Sequence, residues 1–194
     1  MKLFICISLF LGMSLSVWAE EPTGFWGVKF GTTPEEVKEI MAEKEGIKLL
    51  SDSSGILTYT GVGGYWSNER IDWLSFRCHN NNMISAMISL KPIADPLYLF
   101  DEIINKLNTK YYRTKKIKRS YRSPFFAGDG HELLAISEGY ATISARWKFK
   151  NTEISVHVSK ELTVVVYYED SSGVQQWINQ IEKTSYKDAE MNDL

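Results

Sequence analysis

Apolar positions along this chain recur with two periods, 3.6 and 2, and the switches between them predict its elements. Three stretches read as helices. The first opens at Thr32-Thr33-Pro34-Glu35-Glu36, where Thr33 can cap and Pro34 suits the first helical position. Glu36 closes a capping box and complements the N-terminal dipole. Val37, Ile40 and Met41 follow at helical spacing, and Gly46 offers a left-handed stop. The second starts at Asp95-Pro96, with Leu97, Phe100, Ile104, Leu107 and Tyr111 in one stripe and Ile103 beside it. The third begins at Ser171-Ser172-Gly173, carries Val174, Trp177, Ile178 and Ile181, and reads as shorter.

Elsewhere the period is two. Ile56 to Thr60, Ile71 to Cys78 and Met83 to Leu90 read as strands, with Asn80-Asn81-Asn82 as a turn tolerant of positive φ. Lys116 to Tyr121, Glu132 to Ser137, Ala141 to Phe149, Glu153 to Val158 and Leu162 to Tyr168 follow as further strands, the last apolar on both sides and central. Parallel crossovers need a dozen or more residues, so strands this closely spaced predict an antiparallel sheet. The fold class is therefore α+β: about seven or eight antiparallel strands with two or three helices on one face. The order of helix, strands, helix, strands suggests two related units. Glu20 to Gly24 reads as a flexible leader.

The ends divide the chain into three parts. Lys2, the apolar run Leu3 to Met13 continuing through Leu15 and Val17, and the Val17-Trp18-Ala19 boundary read as a signal peptide over residues 1–19. The run is short for a bilayer span of about 20 residues, and no later stretch is long and apolar enough to cross a membrane. Residues 20–183 then form one globular domain and 184–194 a flexible polar tail. The expected location is periplasmic or secreted. Cys6 leaves with the signal, so Cys78 stands alone in the mature chain and reads as a small buried hydrophobe. The formal charge of −2, or −3 without Lys2, gives no global field for nucleic acid.

Phe25-Trp26-Gly27-Val28-Lys29-Phe30-Gly31, followed by the capped helix start Thr32-Thr33-Pro34-Glu35-Glu36-Val37, resembles an opening found in a loosely defined group of small exported bacterial proteins. Trp147, Asn151-Thr152-Glu153-Ile154 and Val166-Tyr167-Tyr168 are similar to the closing hairpin of that group. The opening also resembles helix starts of β-lactamase-inhibitor-like domains and of lipoproteins in outer-membrane barrel assembly. The resemblance covers about a third of the chain and implies helices packed on an antiparallel sheet in a domain that binds other proteins. It carries over no functional residue and, without a lipidated cysteine, no direct membrane attachment.

Candidate chemistry is sparse. His131-Glu132 begins like a zinc-protease helix, but Ala135 stands where the second histidine must lie. Asp129, His131 and Glu132 read either as loop ligands for a metal or as the polar mouth of a hairpin. Cys78 and His79 are adjacent on a strand, so they face opposite ways and cannot pair as nucleophile and base. Gly61-Val62-Gly63-Gly64 lacks the following helix and lysine of a phosphate loop and reads as a hairpin connection. No cofactor fingerprint or metal set emerges.

The compositional anomaly is Lys110 to Arg122. It holds Lys110, Arg113, Lys115, Lys116, Lys118, Arg119 and Arg122 with no acidic residue, and Tyr111, Tyr112 and Tyr121 are interleaved. Cations with stacking aromatics would suit single-stranded nucleic acid in the cytosol. The export signal points instead to an envelope protein or an anionic envelope component. A structural reading stands beside this one: cations at a helix C-terminus and lysines guarding a sheet edge. Ser123-Pro124-Phe125-Phe126 follows, and one of its two phenylalanines is expected to be exposed; Tyr65-Trp66 is a similar case.

The reading adopted is a non-catalytic extracytoplasmic binding domain presenting Lys115, Lys116, Lys118, Arg119, Arg122, Phe125 and Phe126 to a partner. The alternative is a lipid- or glycan-binding protein using Tyr65, Trp66 and a sheet cavity. An enzyme built on Cys78 or His131 is a third reading.

Overall fold

The computed structural model describes residues 20–61, 63–111 and 116–192, with side chains to residue 183. The expected signal peptide over residues 1–19, Val62 of the glycine-rich loop, and Tyr112, Arg113 and Lys115 of the basic segment lie outside the described residues. In chain order the elements are β1 (Gly24–Phe25), β2 (Val28–Lys29), α1 (Pro34–Ala42), β3 (Lys48–Ser53), β4 (Ile56–Thr60), β5 (Tyr65–Trp66), β6 (Glu69–His79) and β7 (Asn82–Leu90). They continue as α2 (Pro96–Tyr111), β8 (Lys116–Tyr121), α3 (Glu132–Ser137), β9 (Ala141–Lys148), β10 (Thr152–Val158), β11 (Val164–Asp170) and α4 (Ser171–Asn192).

Local chemistry sets the helix starts. The Thr33 hydroxyl accepts from Glu36 N while the Glu36 carboxylate accepts from Thr33 N, so both halves of the capping box are made. Asp95 Oδ1 accepts from Leu97 N at 2.8 Å and opens α2. Leu99, Phe100, Ile103, Ile104, Leu107 and Tyr111 form the buried stripe of that helix. Asn80 and Asn81 take φ of 50° and 64° in the β6–β7 turn.

All pairings are antiparallel. Among the described residues one sheet of nine strands runs β3-β4-β6-β7-β11-β10-β9-β8, with β5 paired to β6 off this path. Each half is a helix followed by four main strands: α1 then β3, β4, β6 and β7; α2 then β8, β9, β10 and β11. The halves join through their last strands, β7 and β11, so the strand order reads outward from that seam in the same sense on both sides. β3 and β8 are the free edges.

One face of the sheet carries Leu57, Leu74, Phe76, Ile88, Val166, Ile154, Val156 and Trp147, all buried, and packs against α1, α2 and α3. Trp147 is fully buried and its indole Nε1 donates to Asn108 Oδ1 of α2 at 3.2 Å, which satisfies the one polar atom of the ring. The β1–β2 hairpin closes one end of this core. Phe25 there contacts the rings of Trp66, Phe76 and Tyr168 at 5.7, 6.3 and 5.0 Å.

Three expectations need correction. Glu132–Ser137 is helical: a run of six residues is too short to display a period, and Ala135 N and Glu138 N bond back to His131 O and Leu134 O. The leader is held in place, because Glu21 Oε1 accepts from Asn151 N and Thr152 Oγ1 and Pro22 is buried. The helices are four and are not all on one face, since α4 lies against the opposite one: Trp177 stacks on Arg77 with the guanidinium carbon 4.0 Å from the ring centroid. The backbone of α4 extends to Asn192. No helix among the described residues is long and apolar enough to cross a membrane.

Candidate functional site

Partners across an antiparallel pair share a face, so the register defines the surface opposite α1 and α2 as three rows. The first is Thr60–Trp73–Ser89–Val165–His157–Ser144–Lys118. The second is Thr58–Ser75–Met87–Tyr167–Ser155–Arg146–Lys116. The third is Ile56–Arg77–Ser85–Glu169–Glu153–Lys148. α4 covers the end of the third row; among the described residues no helix covers the first two.

Two adjoining depressions lie on this open face, of about 410 and 190 Å³, and both are lined by Trp73, Met87 and Tyr167. Their shared wall is the seam between the two halves of the sheet. His157 extends the larger one, and its imidazole stacks on Tyr167 at 5.5 Å and 19°. Arg77, Ser85 and Glu169 line the smaller. Ser75, Ser85 and Ser89 are buried on this face, although no helix covers the middle of it; the larger side chains beside them close them off. Ser89 Oγ and Arg77 Nε have no hydrogen-bond partner among the described residues.

Charge is unevenly spread over the same surface. The three rows hold Arg77, Lys116, Lys118, Arg146 and Lys148 against Glu153 and Glu169, while Asp72 and Glu161 line the larger depression. Arg146 Nε pairs with Glu153 at 3.0 Å. Burial and the neighbouring Glu153 push the Glu169 carboxyl up from its ordinary range, partly offset by Arg77 and Arg146. Burial alone holds the His157 imidazole down, and so favours its neutral form.

Alternation divides the basic segment. Lys116 and Lys118 belong to the open face, whereas Ile117, Arg119 and Tyr121 pair with core residues of β9 and belong to the helix face. Arg119 is accordingly bound to Asp101 of α2 by two hydrogen bonds, at 2.8 and 3.1 Å, and lies over Phe100. Arg122 donates to Gly139 O and lies over Tyr140. Phe125 packs on the core and on Tyr140, while Phe126 is 66 % exposed. Tyr65 is 61 % exposed, and Trp66 packs inward on Phe25. The structure thus places Lys116 and Lys118 on the open face, at its edge strand and outside both depressions, and directs Arg119 and Arg122 elsewhere. Trp73, Met87, His157 and Tyr167 were not singled out by sequence; their one signal is that Trp73 and Tyr167 fall out of phase with the core residues of their strands.

The remaining candidates have structural roles. Cys78 is buried and faces the core, and burial, followed by the charges of Asp52 and Glu35, raises its thiol to about 11. Asp129 accepts from Phe126 N and His131 N, Glu132 accepts from Gly128 N, and the three residues organise the turn into α3. Among the described residues no group of three or more His, Cys, Asp or Glu is placed to hold a metal ion. A further depression of about 320 Å³ lies between Glu20–Lys29 and the end of α2, where the polar Glu21 is engaged by Asn151 and Thr152. No family model, curated protein or solved structure matches the chain.

Proposed function

We propose that this chain is a non-catalytic binding domain acting outside the cytosol, and that it takes an anionic partner on the open face of its sheet. One observation carries the reading: the register gathers Trp73, Met87 and Tyr167, half-buried around two depressions, and five cations onto one surface that α1, α2 and α3 leave uncovered. Half-buried aromatics held by cross-strand neighbours lose little freedom on contact, which favours binding. Lys116 and Lys118, on the edge strand of the same face, add attraction that salt weakens. The non-catalytic part is supported by the use of Cys78 in the core and of Asp129 and Glu132 in a turn. The extracytoplasmic part is supported by the N-terminal sequence pattern.

Photo-crosslinking residues at Ser144 and Ser155 on the open face, with controls at Glu39 of α1 and at Phe126, test this in envelope extracts. Adducts are expected from positions 144 and 155 and should weaken as salt is raised. Adducts from Phe126 with silence at 144 and 155 would place the contact on the loop and overturn the reading.

A further inference from the structure

The chemistry of the open face is more specific than a charged surface. It lies in mid-sheet, where the backbone groups of β6, β7, β10 and β11 are engaged in ladders on both sides. An added peptide strand needs a free edge, so recognition here falls to side chains alone. Three of the four buried polar side chains among the described residues, Ser75, Ser85 and Ser89, belong to this face, and Ser75 and Ser85 line the smaller depression. Ser89, 1 % exposed with its hydroxyl unpartnered among the described residues, lies beneath the row between Trp73 and Val165, out of reach of a ligand. An acyl chain laid over Ser75 and Ser85 would offer their hydroxyls no hydrogen bond. A ligand that is itself rich in hydroxyls would pair them.

The walls are flat rings. Tyr167 is fixed by its stack on His157, and Trp73 borders both depressions. The C–H face of a pyranose ring is the apolar surface that stacks on such rings while its hydroxyls reach sideways to serine and arginine. From Tyr167 on β11 to Lys116 on β8 is three strand spacings, about 14 Å, and Arg146 lies between them in the same row. A single sugar cannot meet both ends of that row; an extended oligomer with repeated negative groups can.

Resting on the reading of this face as the contact surface, we propose that it binds an acidic oligosaccharide, a run of pyranose rings bearing carboxylates. Ring faces lie on Trp73 and Tyr167, and carboxylates lie toward Lys116, Lys118 and Lys148.

Titration calorimetry of the full chain with hexamers of galacturonate and mannuronate, the methyl-esterified galacturonate hexamer and hexaglutamate tests the proposal. At least one uronate hexamer should bind saturably, with monomeric galacturonate inert and the uncharged ester roughly tenfold weaker or worse, equivalent to about 1.4 kcal/mol. Trp73→Ala should weaken binding about tenfold or more, while Trp73→Phe, which keeps a ring and reports on folding, should retain most of it. Lys116→Glu with Lys118→Glu should weaken binding about fivefold at low salt and Arg119→Glu by less than twofold, as expected for exposed charges a few ångströms from the ligand. Failure of both uronates to bind overturns the proposal. So does hexaglutamate binding as tightly as the uronate, because charge alone would then suffice. If hexaglutamate binds with the same sensitivity to Lys116 and Lys118, the open face survives as the contact surface and only the sugar assignment falls.

Discussion

Replacing Gly173 by alanine sets two effects of opposite sign against each other. Gly173 is the third residue of α4 and has no positive φ, so the backbone accepts alanine, and helix propensity favours the change by up to about 1 kcal/mol. The packing forbids it. A Cβ at this position would stand 2.5 Å from Ile84 Cγ2 and 3.0 Å from Ile84 Cβ and Asp170 Oδ2. Ile84 is the extra residue of the bulge opposite Arg77 and Cys78, and it is buried under the start of α4. Overpacking of this kind costs about 1–3 kcal/mol, so the net expectation is a loss of about 1–2 kcal/mol. For a domain of this size that loss lowers Tm by roughly 3–6 °C. Urea unfolding of wild type, Gly173→Ala, Ile84→Ala and the double variant measures it. In the Ile84→Ala background the obstructing methyl is gone, and Gly173→Ala should be neutral or stabilising, giving a coupling of about 1–2 kcal/mol between the sites. A Gly173→Ala variant more stable than wild type, or additive in the cycle, would refute the docking of α4 on the open face.

Three further outcomes follow from the geometry. Cys78 should react with Ellman's reagent at least about a hundredfold more slowly in the native protein than in urea, since it is buried and only about one thiol in a thousand is ionised at pH 8; equal rates would contradict its place in the core. Thr33→Ala removes the side-chain half of the capping box and should cost about 1 kcal/mol by denaturant midpoint. His157 binds its proton less readily folded than unfolded, so the unfolded chain takes up more protons as pH falls below about 6.5, and stability should decline in that window. Glu169, pushed the other way, adds stability below its ordinary value of 4.5 that is lost as pH rises through its folded value, so the His157 contribution is read as the difference between wild type and His157→Gln. Identical slopes for the two proteins would remove it.

The parts of this fold visible in the sequence are those whose signal is local. Thr33 and Glu36 announce α1 because a capping box is made within four residues, and Asn80-Asn81 mark a turn because their own side chains tolerate the backbone. β4 and β8 were bounded to the residue by alternation alone. The edge strand β3 was missed for the converse reason. All six of its residues are exposed, its register slips at Leu50, and without a buried face there is no period to read. α3 was misread because six residues fit either period, although Leu133, Leu134 and Ala135 favour a helix and Gly139 at φ 80° ends the segment. The trough was illegible for a deeper reason. Alternation tells on which side of its strand Trp73 or Tyr167 lies, but it does not tell that β7 neighbours β11, eighty residues on. That pairing is long-range and is decided by the joint packing of both halves on α1 and α2.

The lysines of β8 invite a simpler explanation, that they keep a bare sheet edge from pairing with another chain. The opposite edge shows that this protein has another way of doing so: β3 carries exposed Leu49 and Leu50, the latter 69 % exposed, and relies on the register slip between Leu49 and Ser51. An edge guard at β8 also requires nothing of β9, which is paired on both sides. Yet Lys148 repeats the positive charge on β9 and on the same face, beside Arg146 in its pair with Glu153, while the cation of β8 that points the other way, Arg119, is paired with Asp101. Protection of an edge is indifferent to face, because a charge on either side of the strand disrupts pairing. Lys148, unpaired among the described residues, beside Lys116 and Lys118 carries positive charge two strands deep on one face, which is more than an edge guard needs, and the surface it borders is the one that holds Trp73 and Tyr167.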